Sequence, residues 1–211
     1  MSRLAWLVAA VCLTTAGAAS ATSFSFHCIS GDGGGACMIP ADDLWADVQD
    51  EGAGVFSISL HNESGVRSPL TSLFVEDVDG LIAGLVSIGG SPGVSFEHGG
   101  KPPGLPSGTN EDFEEHWTFS ALSPKPKNGV GSGEELTIVF TIADGVSYED
   151  VIAAMTAGTL RLGVHAPPFG AGGNHSFVTG GGGGAIPAPE PGTLALLVAG
   201  GAGWMLRRRR A

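Results

Sequence analysis

Positive charge is scarce in this chain. Residues 22–189 hold Arg67, Lys101, Lys125, Lys127 and Arg161 against 20 acidic residues, a formal net charge of −15. A surface this acidic repels the phosphates of nucleic acid and the headgroups of an anionic membrane, which excludes both as partners of this stretch. Solubility is the plain consequence, and divalent cations bridging to acidic polysaccharide are the sharper one. Cysteine is scarce too: Cys12, Cys28 and Cys37 complete the count. Several chemical signatures are missing. The G-x-S-x-G spelling of Gly89-Gly90-Ser91-Pro92-Gly93 falls in a turn-rich loop, not in the strand-to-helix turn that exposes a serine nucleophile. There is no H-E-x-x-H pair, and the glycine runs lack the lysine of a phosphate loop and the strand-to-helix setting of a dinucleotide site. His27, His61, His98, His116, His165 and His175 are scattered, so no set of the three or four donors that zinc takes can be read from spacing.

What is present is concentrated at the two ends. Met1-Ser2-Arg3 is a short basic leader, Leu4 to Leu13 is apolar, and Ala19-Ser20-Ala21 has the A-x-A form of a signal-peptidase site. This pattern predicts a secretory signal peptide over 1–21 and a mature chain beginning at Thr22. At the other end stand Pro189-Glu190-Pro191, an uncharged stretch from Thr193 to Leu206, and Arg207, Arg208, Arg209 and Arg210. As a helix, that stretch spans roughly 21 Å at about 1.5 Å per residue, short of the hydrocarbon core of about 30 Å. Snorkelling arginine stems make up part of the deficit, and the positive-inside rule keeps the cluster cytoplasmic. A marginal transmembrane helix of this kind suits a temporary tether.

Together, the Pro-Glu-Pro tripeptide, the apolar stretch and the arginine run over Ile186–Ala211 resemble the PEP-CTERM sorting signal of Gram-negative bacteria. The resemblance implies recognition and processing by exosortase, and export toward the cell surface or an extracellular polysaccharide matrix. A looser likeness covers the middle of the chain: Val94-Ser95-Phe96 and the Gly/Pro loop after it, the Leu136–Asp144 region, Tyr148–Met155, Leu160–His165 and Ser176-Phe177-Val178. These are similar to the β-rich body of many PEP-CTERM proteins, which implies an exported domain without an assigned activity.

Export bears on the cysteines. Cys12 leaves with the signal peptide, and in an oxidising compartment the remaining pair, Cys28 and Cys37, predicts a disulfide closing a small glycine-rich loop. Loop entropy makes this worth about 2–3 kcal/mol. Two free thiols are the alternative.

The body alternates with period two. Phe24, Phe26 and Cys28 share one face. Phe56, Ile58 and Leu60 form a second such set, Leu136, Ile138, Phe140 and Ile142 a third, and Leu160, Leu162 and Val164 a fourth. Half-buried strands follow. Weaker strands are expected at 73–76, 81–88, 94–98, 116–121 and 176–179, with turn-rich loops between. The fold class expected is mostly β: an antiparallel two-sheet sandwich of eight or nine strands over 22–179. Asp42–Gln49, which carries Trp45, reads as an acidic helical stretch. One further helix is expected after Ser147, where S-x-x-D forms a capping box and Gly158 stops the run; it would plug one end of the sandwich. Residues 180–188 read as a Gly/Pro linker and 189–211 as the sorting tail.

Three carboxylate clusters remain: Asp42, Asp43, Asp47, Asp50 and Glu51; Glu76, Asp77 and Asp79; Glu111, Asp112, Glu114 and Glu115. The last is a weak calcium candidate, since calcium takes six to eight oxygens; solvated acidic loops are the plain reading, and no other cofactor is implied. Asp77-Val78-Asp79-Gly80 lacks the distal glutamate of a calcium loop. Trp45, Trp117 and Phe119 would stack on sugars if exposed, but core packing is the default. Asn62-Glu63-Ser64 and Asn174-His175-Ser176 match the N-glycosylation acceptor pattern. Two functions stand. The first is a noncatalytic surface or matrix protein, cut by signal peptidase and exosortase and retained among exopolysaccharide. The second is a secreted β-sandwich hydrolase acting on glycans, which needs a facing carboxylate pair or converging histidines. A permanently anchored periplasmic protein with its tail intact is a third possibility.

Overall fold

The computed structural model describes residues 21–29, 40–65, 69–100, 104–167, 174–180 and 185–186. Eleven strands and one helix occupy them: β1 Ala21–Cys28, β2 Leu44–Gly52, β3 Val55–Asn62, β4 Ser72–Asp77, β5 Ile82–Gly90, β6 Phe96–His98, β7 Trp117–Ala121, β8 Glu134–Ile142, α1 Tyr148–Ala157, β9 Leu160–Ala166, β10 His175–Thr179 and β11 Ala185–Ile186. The mostly-β class predicted from the alternation is the one found.

All pairings are antiparallel. The strand order is β5-β8-β3-β2-β1-β10-β9-β4-β7-β6, with β11 added to β1. One strand joins the two layers. The first part of β1, Ala21–Ser25, pairs with β2, and its last part, Phe26–Cys28, pairs with β10. The outermost strands, β5 and β6, are consecutive in sequence, and Ser91–Ser95 connects them. Hydrogen bonds from Ser91 N to Glu135 O and from Leu122 N to Ser95 O tie this turn to both layers. The sheet therefore bends almost into a ring, leaving short or bulged edges; β5 carries two register shifts against β8, which blunts it against pairing with another chain.

Alternation fills the space between the layers. Leu44, Ala46, Val48, Phe56, Ile58, Leu60, Leu136, Ile138 and Phe140 face Leu73, Val75, Phe119, Leu162, Val164 and Phe177 across one core. Aromatic rings knit the layers together: Phe140 stacks on Phe56 at 5.5 Å and takes Trp117 and Phe119 edge-on at 5.6 and 5.9 Å. Trp117 and Phe119 therefore belong to the core.

The helix is capped as its sequence predicts. The Ser147 hydroxyl accepts from Asp150 N, and the Asp150 carboxylate accepts from Ser147 N in return. Gly158 ends the helix at φ 81°, a left-handed conformation that costs glycine little. Val151, Ala154 and Met155 turn inward, and the Tyr148 hydroxyl donates to Val48 O at 2.8 Å, tying α1 to β2.

The stretch read as an acidic helix, Asp42–Gln49, is instead a 3-10 turn at Ala41–Asp43 leading into β2. Leu44, Ala46 and Val48 are buried, while Trp45, Asp47 and Gln49 lie on the opposite face. The period is two. The cross-strand neighbours Phe24 and Leu60, which flank Ala46, supply burial that a lone acidic helix would lack. A second difference concerns the stretch read as linker, where Ala185 and Ile186 form β11 against β1. Asn62, in the first glycosylation pattern, is fully buried and donates to Val130 O at 2.9 Å.

The sorting residues Pro189, Glu190 and Pro191, the arginines 207–210, Ala19 and Cys37 lie outside the described residues, as does the short transmembrane helix expected at 193–206. Among the described residues no helix is long and apolar enough to cross a membrane. Ala21 opens β1 opposite Gln49. Cys28 is disulfide-bonded.

Candidate functional site

The register of β1, β2, β3 and β8 sets Ser25, Trp45, His61 and Glu135 in one row across the outer face of their layer, with Ser23, Asp47, Ser59 and Thr137 in the row beside it. These are side chains that alternation turns away from the core. The Trp45 and His61 rings stack at 4.9 Å, only 12° from parallel. Trp45 Nε1 points at Asp47 Oδ2, 3.4 Å away, and the Ser23 hydroxyl donates to Asp47 Oδ1. His61 sits between two carboxylates: Nε2 is 3.2 Å from Asp47 Oδ2 and Nδ1 is 3.7 Å from Glu135 Oε2. The Nε2 contact is close but does not form a hydrogen bond. Ser59 and Thr137 share a hydroxyl hydrogen bond of 2.8 Å. Beside Trp45 opens a groove of about 340 Å³ lined by Ser23, Ser25, Asp42, Leu44 and Trp45. Treating 42–49 as a helix hid this row; a period-two reading of Trp45 and Asp47 would have found half of it.

Several of the calcium candidates meet other groups. Glu115 accepts from Leu105 N. Glu111 approaches His27, and Glu114 approaches His116, each at 4.0 Å. The carbonyls of Glu111 and Asp112, rather than their carboxylates, accept from the Arg161 guanidinium, at 3.0 and 2.9 Å. Arg161 in turn grips Glu76, through Nε to Oε2 and through Nη2 to Oε1 at 2.9 Å, and Glu76 Oε1 also accepts from Glu114 N at 2.8 Å. The hydrogen bond to Glu76 raises the Arg161 pKa further above its ordinary value. Asp77 spends both oxygens on Leu81 N and Ile82 N, at 2.8 and 2.9 Å, so the DxDG fragment is a turn cap. Among the described residues no three His, Cys, Asp or Glu side chains are arranged to hold a metal ion.

A second polar row lies on the other layer. Ser120, Ser72, His165 and Ser176 occupy neighbouring positions on β7, β4, β9 and β10, all buried. His165 Nδ1 lies 3.2 Å from Ser176 Oγ. Burial holds the imidazoles of His165 and His175 below their ordinary pKa, although a hydrogen bond to the His175 backbone opposes this at His165. The unfolded chain, whose imidazoles titrate near about 6.5, then binds more protons than the folded one as pH falls past that value. Stability present above about pH 6.5 is lost progressively on acidification through the lowered folded values. Urea midpoints measured from pH 8 to pH 5 should fall in this window, and His165→Gln should flatten the profile; an unchanged slope would refute it.

Residues 187–210 match the family model of the PEP-CTERM protein-sorting motif. No curated protein and no solved structure matches the chain. The chain carries a PEP-CTERM motif, and that motif implies export and a cell-surface or extracellular route.

Proposed function

We propose that the protein is a noncatalytic surface or matrix component, delivered across the inner membrane by its signal peptide, held there briefly by the tail, cut by exosortase and kept among exopolysaccharide. The observation that carries the sorting is the motif at 187–210. The noncatalytic reading is supported by how the polar side chains are spent: Asp47 on Ser23, Glu76 on Arg161, Asp77 on backbone amides. Calcium would work as a weak bridge between acidic loops and acidic glycan, and a calorimetric titration at millimolar calcium that shows no heat removes it.

The C-terminal mass of the exported protein decides the sorting. Material from cells with exosortase should lack the arginines 207–210, while cells deleted for the enzyme should accumulate the full tail in the inner membrane, a shift of tenfold or more in the cut-to-uncut ratio. Replacing Pro189, Glu190 and Pro191 by alanines should reproduce the deletion. An intact tail in both strains identifies a permanently anchored protein and ends the proposal.

A further inference from the structure

We infer that the groove beside Trp45 is a binding site for neutral polysaccharide, with a sugar ring laid against the indole and its hydroxyls met by Ser23, Ser25 and Asp42. The site deepens the matrix role proposed above and rests on that reading for where the sugar is met. Its own geometry is independent of the tail.

Three features of the groove select this ligand. The first is its shape and lining. At about 340 Å³ it lies at the small end of the roughly 300–1,000 Å³ typical of small-ligand sites. Its wall pairs one flat aromatic surface with short hydroxyls and a carboxylate. A pyranose has the complementary surface: an apolar face of C–H groups and a rim of hydroxyls that both donate and accept. An indole is a large hydrophobic surface with a polar tip, suited to a ligand that is wet at its edge.

The second is rigidity. Trp45 is fixed before any ligand arrives, because His61 stacks behind it and Asp47 receives its Nε1–H. Asp47 is itself held by Ser23. A platform fixed in this way loses little side-chain freedom on binding, which raises affinity without new contacts. The row Ser25–Trp45–His61–Glu135 crosses four strands, so the polar strip continues past the groove as a path for an extended chain.

The third is charge. Among the described residues, none that lines the groove is cationic, Asp42 is exposed in its wall, and residues 22–189 carry a net charge of −15. Phosphate, sulfate or uronate groups would be repelled, and the serine hydroxyls and the indole suit the hydroxyl rim and apolar face of an uncharged sugar.

The test is affinity electrophoresis of the purified full-length protein in gels containing a soluble β-glucan, dextran, galactomannan or, as the anionic comparison, alginate, each with calcium removed. At least one neutral polysaccharide should retard the protein, and alginate should not. Trp45→Ala should weaken the retarding interaction tenfold or more, Trp45→Phe should keep part of it, and Asp42→Ala, at an exposed position, should weaken it about threefold. Thermal melts accompany each variant; if Trp45→Ala fails to fold, Asp42→Ala and Trp45→Phe decide. Retardation by none of the neutral polysaccharides, retardation by alginate instead, or undiminished binding by the variants that fold overturns the site. None of these results depends on whether the tail is cut, so failure here and failure of the sorting experiment are separate outcomes.

Discussion

Arg161→Met should cost the domain about 3–5 kcal/mol, the range seen when one partner of a buried ion pair is removed. Glu76 is 1 % exposed, and its carboxylate has two partners, the Arg161 guanidinium and Glu114 N. Without the arginine, one buried negative charge keeps a single backbone donor. The loop loses anchors as well, since the same guanidinium holds the Glu111 and Asp112 carbonyls and lies over the Phe113 ring at 5.4 Å. Phe113 and Leu105 cover Phe74 and Val178 and pack over Gly163 so closely that a Cβ there would sit 2.6 Å from a Leu105 methyl. Domains of this size have about 5–15 kcal/mol in hand, so the variant should unfold at a much lower urea concentration and its 104–115 loop should become sensitive to protease. Glu76→Leu added to Arg161→Met should restore part of the loss, because an apolar pair of similar volume removes the stranded charge. A midpoint within experimental scatter of the native one would show that the pair contributes nothing.

Phe140→Ala should be comparably severe. The ring is fully buried, and truncating a buried phenylalanine costs about 3–5 kcal/mol in transfer and cavity terms. Its contacts with Phe56, Trp117 and Phe119 are aromatic pairs worth about 0.5–1.5 kcal/mol each beyond area, which places the change at the upper end. Phe140 comes from β8 and the two edge-on partners from β7, so the loss falls on the seam between layers. Tryptophan fluorescence should report it through Trp117 as well as through the urea midpoint. Phe140→Leu should cost far less, because it keeps most of the volume. Equal losses for the two substitutions would mean that shape rather than volume governs this seam.

Much of this architecture was legible in the residues. Strands β1, β3, β8 and β9 announce themselves because large apolar residues recur at every second position along each. The helix announces itself through Ser147, Asp150 and Gly158, whose roles are local. The sorting tail is the easiest of all, since a linear signal needs no fold to be read. β2 was hidden by composition: Asp42, Asp43, Asp47 and Asp50 look like a solvated helical face, and only neighbours on β1 and β3 make Leu44, Ala46 and Val48 a buried edge. The Arg161–Glu76 pair was hidden by distance. The two residues are 85 positions apart and meet only because β4 and β9 pair in one particular register, which no local pattern encodes. The Trp45 groove failed to show for both reasons.

Antiparallel pairing of Ser23 with Ile186 and Phe24 with Ala185 has a topological consequence. Ala21 at the start of β1 and Ile186 at the end of β11 therefore lie at one end of a single two-pair ladder, in a sheet whose neighbouring strands lie about 4.7–4.9 Å apart. The first and last described strands thus hold each other in place, so loosening one end of the described chain loosens the other.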